Sequence, residues 1–328
     1  MRAILPVAGA GTRLRPHTHT TPKALVHVAG KPILGHIIDA LLPVGVDEVV
    51  LVVGQFGEKI VDYVKSAYDL TVKFVEQADP KGLGHAIYLT KDAVNPEEPV
   101  LIVLGDTIFR ADLRSALASG KSQIGVAAVS NPQNFGVVEL DGERITRLVE
   151  KPANPKSNLA IVGVYYLRSA KALFEGLQYV IDQEIRSKGE IQLTDALQVM
   201  LDRGEEMGAF SVDDWLDCGS PEALLETNRR LLQRGGGGTR PAEDQVIVIP
   251  PVYIAPSAHV SQSIVGPYVS IADGAVVQRS VIRNTIVNQG AEVSEMLLTD
   301  SIIGERAGVG GAFTRLNVGD SSQMRTVS

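Results

Sequence analysis

Residues 2–16 read RAILPVAGAGTRLRP, and this stretch decides how the rest of the chain is interpreted. Residues 3–7 form a short apolar run without helical periodicity, which predicts a buried parallel strand. Small residues that let the backbone turn sharply come next, and cations follow them. In order they are Ala8, Gly9, Ala10, Gly11, Thr12, Arg13 and Arg15. A glycine turn of this kind, directly after a first strand, is a place for a triphosphate.

The spacing of this turn excludes the better-known phosphate-binding loops. The chain has no G-x-x-x-x-G-K-[ST] sequence here. The dinucleotide pattern G-x-G-x-x-G also fails, because Leu14 stands where the third glycine is required. A dehydrogenase is therefore not indicated.

Composition and charge narrow the class of protein. The 328 residues are 45% apolar and 21% charged, with a net charge of −7 and dispersed basic residues, so we expect no nucleic-acid partner. No apolar run reaches the length of a membrane span, and no signal peptide precedes the first strand. The single cysteine, Cys218, excludes an internal disulfide. We expect a cytoplasmic protein with no membrane partner.

Strands alternate with helices along the first hundred residues. The predicted strands cover 3–7, 48–53, 71–75 and 100–104, and the predicted helices cover 33–42, 58–68 and 83–94. This alternation predicts an α/β fold with a Rossmann-like, mostly parallel sheet and helices on both faces. Such sheets bind ligands beyond the carboxyl ends of their strands.

The remainder of this first domain, which we place at residues 1–233, is richer in strands. Between residues 123 and 167 the pattern predicts strands, and Asp141-Gly142 is a hairpin turn signal. Three further helices are predicted over 169–184, 194–203 and 221–233.

A change of period marks a second domain. Four consecutive glycines in residues 234–245 predict a flexible linker. Beyond it, branched aliphatic residues recur every five or six positions, which predicts a hexapeptide-repeat, left-handed parallel β-helix over residues 246–318. They are Ile254, Val260, Val265, Ile271, Val277, Ile282, Val287, Val293, Leu298, Ile303 and Val309.

The sequence G-x-G-T-R-L of residues 9–14, followed by Pro22-Lys23, resembles the opening motif of the sugar-phosphate nucleotidyltransferases. The resemblance continues through residues 1–233, with Ala8 where many members have Gly and His27 where Pro is usual. It implies that a nucleoside triphosphate is joined to a sugar 1-phosphate and that pyrophosphate is released. C-terminal repeats also occur in longer members of this family.

The resemblance implies a magnesium site made by two aspartates at strand ends. Asp106 follows the predicted strand 100–104, and Asp217 lies in the sequence WLDCG. Both stand where this family places its Mg²⁺ ligands, and Mg²⁺ needs few carboxylates because phosphates and water complete its shell. Taken alone, each aspartate would equally suit a turn or a helix cap.

The resemblance also assigns three catalytic cations. Arg13 is expected to hold the β- and γ-phosphates, and Lys23 to reach the triphosphate from the other side. Lys151, in the sequence EKP, is expected to hold the sugar phosphate. Arg15 is either a further phosphate contact or a surface charge.

The remaining site residues follow from the same resemblance. The nucleotide is expected to lie against the loop and against residues of the sequence QADPKGLGHA, whose form is similar to members that use dTTP or UTP. The nucleotide-binding residues are Ala8, Gly9, Gly11, Thr12, Gln77, Gly82 and Asp106. The sugar-phosphate-binding residues are Gly136, Glu150, Lys151 and Trp215. Glucose 1-phosphate is the expected acceptor, and His85 is either close to the ribose or structural.

Two other functions compete with nucleotidyl transfer. A non-catalytic nucleotide sensor would have lost an aspartate or a phosphate lysine, and this chain retains them all. An acyltransferase in the repeat region would need a general base, for which only His259 is present. We expect the repeat region to serve assembly of a homo-oligomer instead. The sequence does not separate dTTP from UTP.

Overall fold

The computed structural model describes residues 1–236 and 245–311. Residues 237–244 of the predicted linker and residues 312–318 of the predicted repeat region lie outside the described residues. The chain divides into two compact units between Thr227 and Asn228. Within the described ranges, no helix is long and apolar enough to cross a membrane.

The first unit mixes helices and strands. The helices are α1 (Ile33–Leu41), α2 (Gly57–Ala67), α3 (Leu83–Tyr88), α4 (Leu113–Ala118), α5 (Ala170–Asp182), α6 (Leu193–Asp202) and α7 (Pro221–Leu231). The strands are β1 (Arg2–Pro6), β2 (His27–Val28), β3 (Lys31–Pro32), β4 (Glu48–Val53), β5 (Thr71–Glu76), β6 (Val100–Val103), β7 (Thr107–Arg110), β8 (Ser122–Ala128), β9 (Gly136–Asp141), β10 (Arg144–Glu150), β11 (Leu159–Leu167), β12 (Met207–Ser211) and β13 (Asp214–Asp217).

A nine-stranded sheet forms the centre of this unit, in the order β5-β4-β1-β6-β11-β8-β12-β10-β9. Strands β5, β4, β1 and β6 are parallel to one another, as are β8 and β12. The pairings that involve β11, and those of β10 with β9 and β12, are antiparallel. The prediction of a mostly parallel sheet is therefore wrong, and the sheet is mixed.

The physical reason lies in how the strands are connected. Helices α1 and α2 connect β1 to β4 and β4 to β5, and a helical crossover returns the chain for parallel pairing. The predicted turn at Asp141-Gly142 instead joins β9 directly to β10, and this hairpin is antiparallel. Strand β11 then runs back through the middle of the sheet, which short-range patterns do not reveal.

The parallel strands next to the first turn are continuous apolar runs because both faces of the sheet are covered. In β1, the side chains of Ala3, Ile4 and Leu5 are fully buried, and the four residues of β6 are fully buried as well. Strand β5, at the edge of the sheet, contains only exposed and half-buried residues. The buried strands therefore hold their carboxyl ends in fixed positions.

The second unit contains only parallel strand pairs within residues 245–311. Its strands are β14 (Ile247–Val248), β15 (Val252–Ile254), β16 (His259–Ser261), β17 (Ile264–Val265), β18 (Val269–Ile271), β19 (Val276–Gln278), β20 (Val281–Val287), β21 (Glu292–Ser294), β22 (Leu297–Ile303) and β23 (Gly308–Gly310). Corresponding residues pair in a ladder: Val260 with Val277, Val277 with Val293, and Val293 with Val309. The aliphatic residues of the predicted repeat form the core of this unit.

The division between the units falls inside α7, because the end of this helix belongs to the second unit. Asn228 donates from Nδ2 to the backbone oxygen of Tyr268 at 3.1 Å. Its Oδ1 accepts from the buried hydroxyl of Ser270 at 2.6 Å. Buried polar groups cost free energy unless they are hydrogen-bonded, so this residue fixes the helix end to the strands that follow.

An ion pair at the start of the sheet gives a testable pH dependence. Arg2 of β1 donates to both carboxylate oxygens of Glu48 on β4, at 2.7 and 3.0 Å. Lys73 of β5 lies 2.9 Å from the same carboxylate. The hydrogen bonds from Arg2 are the main reason that the pKa of Glu48 falls from 4.5 to about 2.

We expect Glu48→Gln to lower the free energy of unfolding by about 1.5–3 kcal/mol at pH 7. The folded-state pKa lies below the unfolded-state value, so this stabilisation is present above about pH 4.5 and is lost as the pH falls toward 2. Chemical denaturation at pH 7, 5 and 3.5 measures it, with the exposed Glu175→Gln as control. A deficit that does not shrink at pH 3.5 would contradict the ion-pair explanation.

Candidate active site

A cavity of about 480 Å³ lies at the end of β1, where the first turn, the start of α3 and the end of β6 come together. All of the residues predicted to bind nucleotide line it, and so do two of the predicted catalytic cations. They are Ala8, Gly9, Gly11, Thr12, Gln77, Gly82, Asp106, Arg13 and Lys23. Residues that are up to about a hundred positions apart in the sequence therefore surround one space.

The first turn is built around Gly11, whose φ of 59° lies in the left-handed region. A short 3-10 turn, Thr12–Leu14, follows and is anchored by the fully buried Leu14. The hydroxyl of Thr18 donates to the backbone oxygen of Gly11 at 2.8 Å. The loop is therefore fixed from both sides, and the side chains of Thr12 and Arg13 are held at the cavity.

Lys23 and Asp106 form an ion pair at this cavity. The Lys23 Nζ lies 2.7 Å from the Asp106 Oδ2, and the lysine side chain is only 12% exposed, against 40% for the aspartate. Asp106 lies in the turn between β6 and β7. The more accessible carboxylate can therefore bind another cation, while the ammonium is already held next to it.

Asp217 comes to the same region through a small second sheet. Strands β7 and β13 pair antiparallel, which places Asp217 opposite Thr107, the residue after Asp106. The backbone of Cys218 also donates to the backbone oxygen of Asp106 at 3.4 Å. The predicted pair of aspartates is thus brought together by backbone pairing.

Gly219, which lines the cavity, links Arg13 to this pair. A Cβ atom at Gly219 would lie 2.8 Å from the Arg13 Nη2 and 2.9 Å from the Asp217 Oδ1. The guanidinium and the carboxylate therefore both occupy space that a side chain at this position would fill. Sequence reasoning gave Gly219 no role, although it lies two residues after a predicted metal ligand.

The two aspartates are better suited to Mg²⁺ than to a metal ion that needs a complete set of protein ligands. No group of three or more His, Cys, Asp or Glu side chains in residues 1–236 and 245–311 is arranged to hold a metal ion. Mg²⁺ is ordinarily bound by one or two carboxylates and by phosphate oxygens and water. Asp106 and Asp217 would supply the two carboxylates, and a bound phosphate and water the remaining donors.

The predicted sugar-phosphate residues lie outside the lining of this cavity. Glu150 accepts a hydrogen bond from Thr194 at 2.7 Å. A Cβ atom at Gly136 would lie 3.0 Å from the Glu150 Oε2 and 3.2 Å from the Thr194 Oγ1. Lys151, with a left-handed φ of 41°, holds its Nζ 3.6 Å from Glu150. These residues therefore form a separate cluster of hydrogen-bonding groups.

Trp215 connects the sugar-phosphate cluster with the aspartates. Its ring meets that of Phe135 edge-on, with the centroids 4.9 Å apart, and the backbone of Lys151 donates to the Phe135 oxygen at 3.0 Å. Side chains two positions apart on a strand point to the same side. On β13 this puts the side chain of Trp215 on the same side as that of Asp217, with its ring against Phe135 of the sugar-phosphate cluster.

Two acidic residues near these clusters were given no role by sequence reasoning. Glu190 lines the nucleotide cavity and accepts a hydrogen bond from Gln192 at 3.1 Å. Asp195 accepts from the Ser187 hydroxyl at 2.9 Å, and its other oxygen is buried with no hydrogen-bond partner in the described part of the chain. Burial raises the pKa of Asp195, and the negative charge of Glu150 adds to this. Both acids belong to the sequence GEIQLTD of residues 189–195, and its two closely spaced acidic residues were the sequence feature that could have indicated them.

Cys218 is not a nucleophile. It is fully buried, and burial raises the pKa of its thiol to about 12. Since the thiolate is the reactive form, Cys218 acts as a small apolar residue between the backbone of Asp217 and that of Gly219.

Comparison with known proteins identifies the family of the chain. The sequence profile described as Nucleotidyl transferase matches residues 2–234, which include every predicted site residue. The chain belongs to this family.

Individual nucleotidyltransferases are also similar to the chain. Glucose-1-phosphate thymidylyltransferase of Streptomyces griseus is 32% identical, and the alignment covers 100% of both chains. The UTP–glucose-1-phosphate uridylyltransferase AglF of Haloferax volcanii is 34% identical over 70% of this chain and 96% of its own. A crystal structure of UDP-glucose pyrophosphorylase complexed with UDP-glucose shares the fold, with a TM-score of 0.62, 24% identity and coverage of 71% of this chain and 98% of that one.

The wall of the nucleotide cavity at Gly82 gives a stability prediction. Gly82 has a φ of 112°, and a Cβ atom there would lie 2.5 Å from the backbone oxygen of Ile191. Gly189 has a φ of 85°, and a Cβ atom there would meet nothing within 4 Å, so this position has a positive φ without the clash.

We expect Gly82→Ala to lower the free energy of unfolding by about 1–3 kcal/mol more than Gly189→Ala, because overpacking adds to the cost of the positive φ. Denaturation of the two variants beside the unsubstituted protein measures the difference. Equal losses in the two variants would show that the approach of Ile191 does not constrain this wall.

Proposed function

We propose that the protein transfers a nucleotidyl group from dTTP or UTP to a hexose 1-phosphate, with glucose 1-phosphate as the preferred acceptor, and releases pyrophosphate. The observation that carries this proposal is the meeting of the glycine turn, Arg13, Lys23 and Asp106 around one cavity, with Asp217 held next to it by the pairing of β13 with β7. Relatives at 32% and 34% identity that are named as thymidylyl- and uridylyltransferases for glucose 1-phosphate support the choice of substrates.

In the proposed reaction, a phosphate oxygen of the sugar 1-phosphate attacks the α-phosphorus of the triphosphate. The bond from that phosphorus to the bridging oxygen of pyrophosphate breaks as the new P–O bond forms. Anions must approach one another for this to happen, so cations that are already in place lower the barrier. Arg13 and Lys23 bind the triphosphate and stabilise the leaving pyrophosphate, and Lys151 orients the sugar phosphate.

Asp106 and Asp217 are the residues that would hold Mg²⁺. When bound, the ion would neutralise phosphate charge and stabilise the charge that develops on the leaving group. Lys23 already lies against Asp106 at 2.7 Å, so its remaining N–H donors are free to turn toward a phosphate oxygen without a large movement of the side chain.

The second unit has a proposed role in assembly. We propose a catalytic domain at residues 1–233, a linker at 234–245 and a left-handed parallel β-helix at 246–318, acting as a homo-oligomer in the cytoplasm. Recurring parallel pairs such as Val260 with Val277 and Val277 with Val293 support the stacked arrangement.

The reaction is tested by pyrophosphate release in the presence of Mg²⁺, with each of the common triphosphates against glucose 1-phosphate and N-acetylglucosamine 1-phosphate. We expect turnover with dTTP or UTP, and a loss of at least about 100-fold in kcat for Asp106→Asn and for Asp217→Asn, because each removes a charged ligand. The exposed Asp92→Asn is the control and should retain full activity.

Two outcomes would overturn the proposal. One is the absence of pyrophosphate release with every pair of substrates in a folded protein. The other is turnover that both aspartate variants retain, since the chemistry would then lie elsewhere.

The sugar-phosphate cluster gives a second prediction. A methyl group at Gly136 would crowd the carboxylate of Glu150 and the hydroxyl of Thr194. We expect Gly136→Ala to raise the KM for the sugar 1-phosphate by about tenfold, with the KM for the triphosphate within about twofold, because only the acceptor contacts are displaced. Steady-state kinetics, in which the concentration of each substrate is varied in turn, measures the two KM values.

Gly308→Ala is the matched control, because a Cβ atom there meets nothing within 4 Å. A larger change in the triphosphate KM than in the sugar KM for Gly136→Ala would assign this cluster to the nucleotide instead.

A further inference from the structure

Gln77 directly follows β5 and lines the nucleotide cavity, and the nitrogen of its side-chain amide contacts two neighbouring groups of the protein. Its backbone N–H donates to the Val53 oxygen at 2.8 Å. Its side-chain Nε2 donates to the backbone oxygen of Gly82 at 3.3 Å and lies 3.2 Å from the Nδ1 of His85. His85 is half-buried on α3 and is not among the residues that line the cavity.

These two contacts fix which way the amide faces. A glutamine amide has two N–H donors on nitrogen and acceptor sites on oxygen. The backbone oxygen of Gly82 can only accept, so the nitrogen must face it. The second N–H then points to the His85 Nδ1, and no donor in the described residues bonds to the Gln77 Oε1. Oxygen, not nitrogen, is therefore the atom that this amide has left for a ligand.

We propose that His85 is a positioning residue for base selection, which accepts from Gln77 and so holds the Gln77 Oε1 toward the base. The base must then present an N–H to that oxygen. Uracil and thymine do so with N3–H, whereas cytosine has a lone pair at the same position. This inference rests on the proposed function, since it concerns how that site chooses its triphosphate.

The exclusion of cytosine follows from an unpaired acceptor. If the amide orientation is fixed, the Gln77 Oε1 would face the N3 lone pair of cytosine, and both groups would lose a hydrogen bond on leaving water. A site built to hydrogen-bond a particular group rejects an analogue that lacks it, because the buried partner is left unsatisfied. Without His85 as acceptor, the amide is held only by Gly82 and can rotate to present nitrogen.

The arrangement requires neutral histidine. Burial lowers the pKa of His85, and Lys81 lowers it further while Asp79 opposes this; both of these charged side chains are exposed. A neutral ring that carries its proton on Nε2 leaves Nδ1 free to accept. Protonation would place an N–H at Nδ1, opposite the N–H groups of Gln77, and would turn the amide around.

Two substitutions distinguish the effect of the hydrogen-bond acceptor on His85 from the effect of its side-chain volume. His85→Leu keeps the size of the side chain and removes the acceptor, whereas His85→Asn places its Oδ1 close to the position of Nδ1. Binding of UTP and CTP, and of dTTP and dCTP, to the full-length chain is measured by titration calorimetry without a sugar phosphate. Pyrophosphate release with the same triphosphates is measured separately.

We expect the unsubstituted protein to bind UTP more tightly than CTP, or dTTP more tightly than dCTP. His85→Leu should reduce that preference roughly 3- to 10-fold, the effect of one net hydrogen bond, and His85→Asn should restore it to within about twofold. Between about pH 7.5 and 5.5, where cytosine N3 stays unprotonated, the preference should fall more in the unsubstituted protein, in which His85 begins to protonate, than in His85→Asn, which has no titrating ring.

The inference is overturned if the unsubstituted protein binds both members of each pair equally, or if a folded His85→Leu keeps the full preference. It is also overturned if His85→Asn loses as much as His85→Leu. Binding preference with no pyrophosphate release would instead sink the proposed reaction and leave the role of His85 standing, so the two failures are distinguishable.

Discussion

The position of β1 between β4 and β6 is the constraint on which the site depends. Hydrogen bonds pair Arg2 with Glu48 on one side and with Val100 on the other, so three parallel strands end at one edge of the sheet. The polar residues that directly follow these strands are therefore held close to one another. A cavity bounded by a glycine turn, the amide of Gln77 and the carboxylate of Asp106 is a consequence of that alignment. The cations and hydrogen-bond donors come from loops that the alignment brings close.

The ammonium of Lys23 is neutralised before any ligand arrives, because it forms an ion pair with Asp106. Arg13 is exposed and lies beside Gly219, as Asp217 does. The pairing of Lys23 with Asp106 lets the fold keep a largely buried ammonium at the cavity without an uncompensated charge. A polyanionic ligand together with a divalent cation can replace this internal pairing with little change in net charge. The site is in this sense preorganised for such a pair.

Sequence reasoning succeeded where a signal is local and failed where it is not. The strand before Ala8, the hairpin at Asp141 and the aliphatic core of the repeats are encoded by neighbouring residues, and the structure confirms them. The mixed sheet was missed because the direction of β11 depends on which distant strand it pairs with. The four-residue strands β7 and β13 were not predicted, because they are too short to show a period. The roles of site residues came from motif resemblance, while the hydrogen bond between Gln77 and His85 is visible only in three dimensions.

The ladder in the second unit has a consequence for how this chain can change length. Val260, Val277, Val293 and Val309 occupy equivalent places in successive rungs, and each rung packs mainly on its neighbours. Gain or loss of one complete rung would join equivalent surfaces and preserve the inside-outside pattern. Loss of a single residue inside a strand would turn the side chains that follow it in that strand to the opposite face. Evolution can therefore adjust this part of the protein in whole steps, independently of the chemistry at the other end of the sequence.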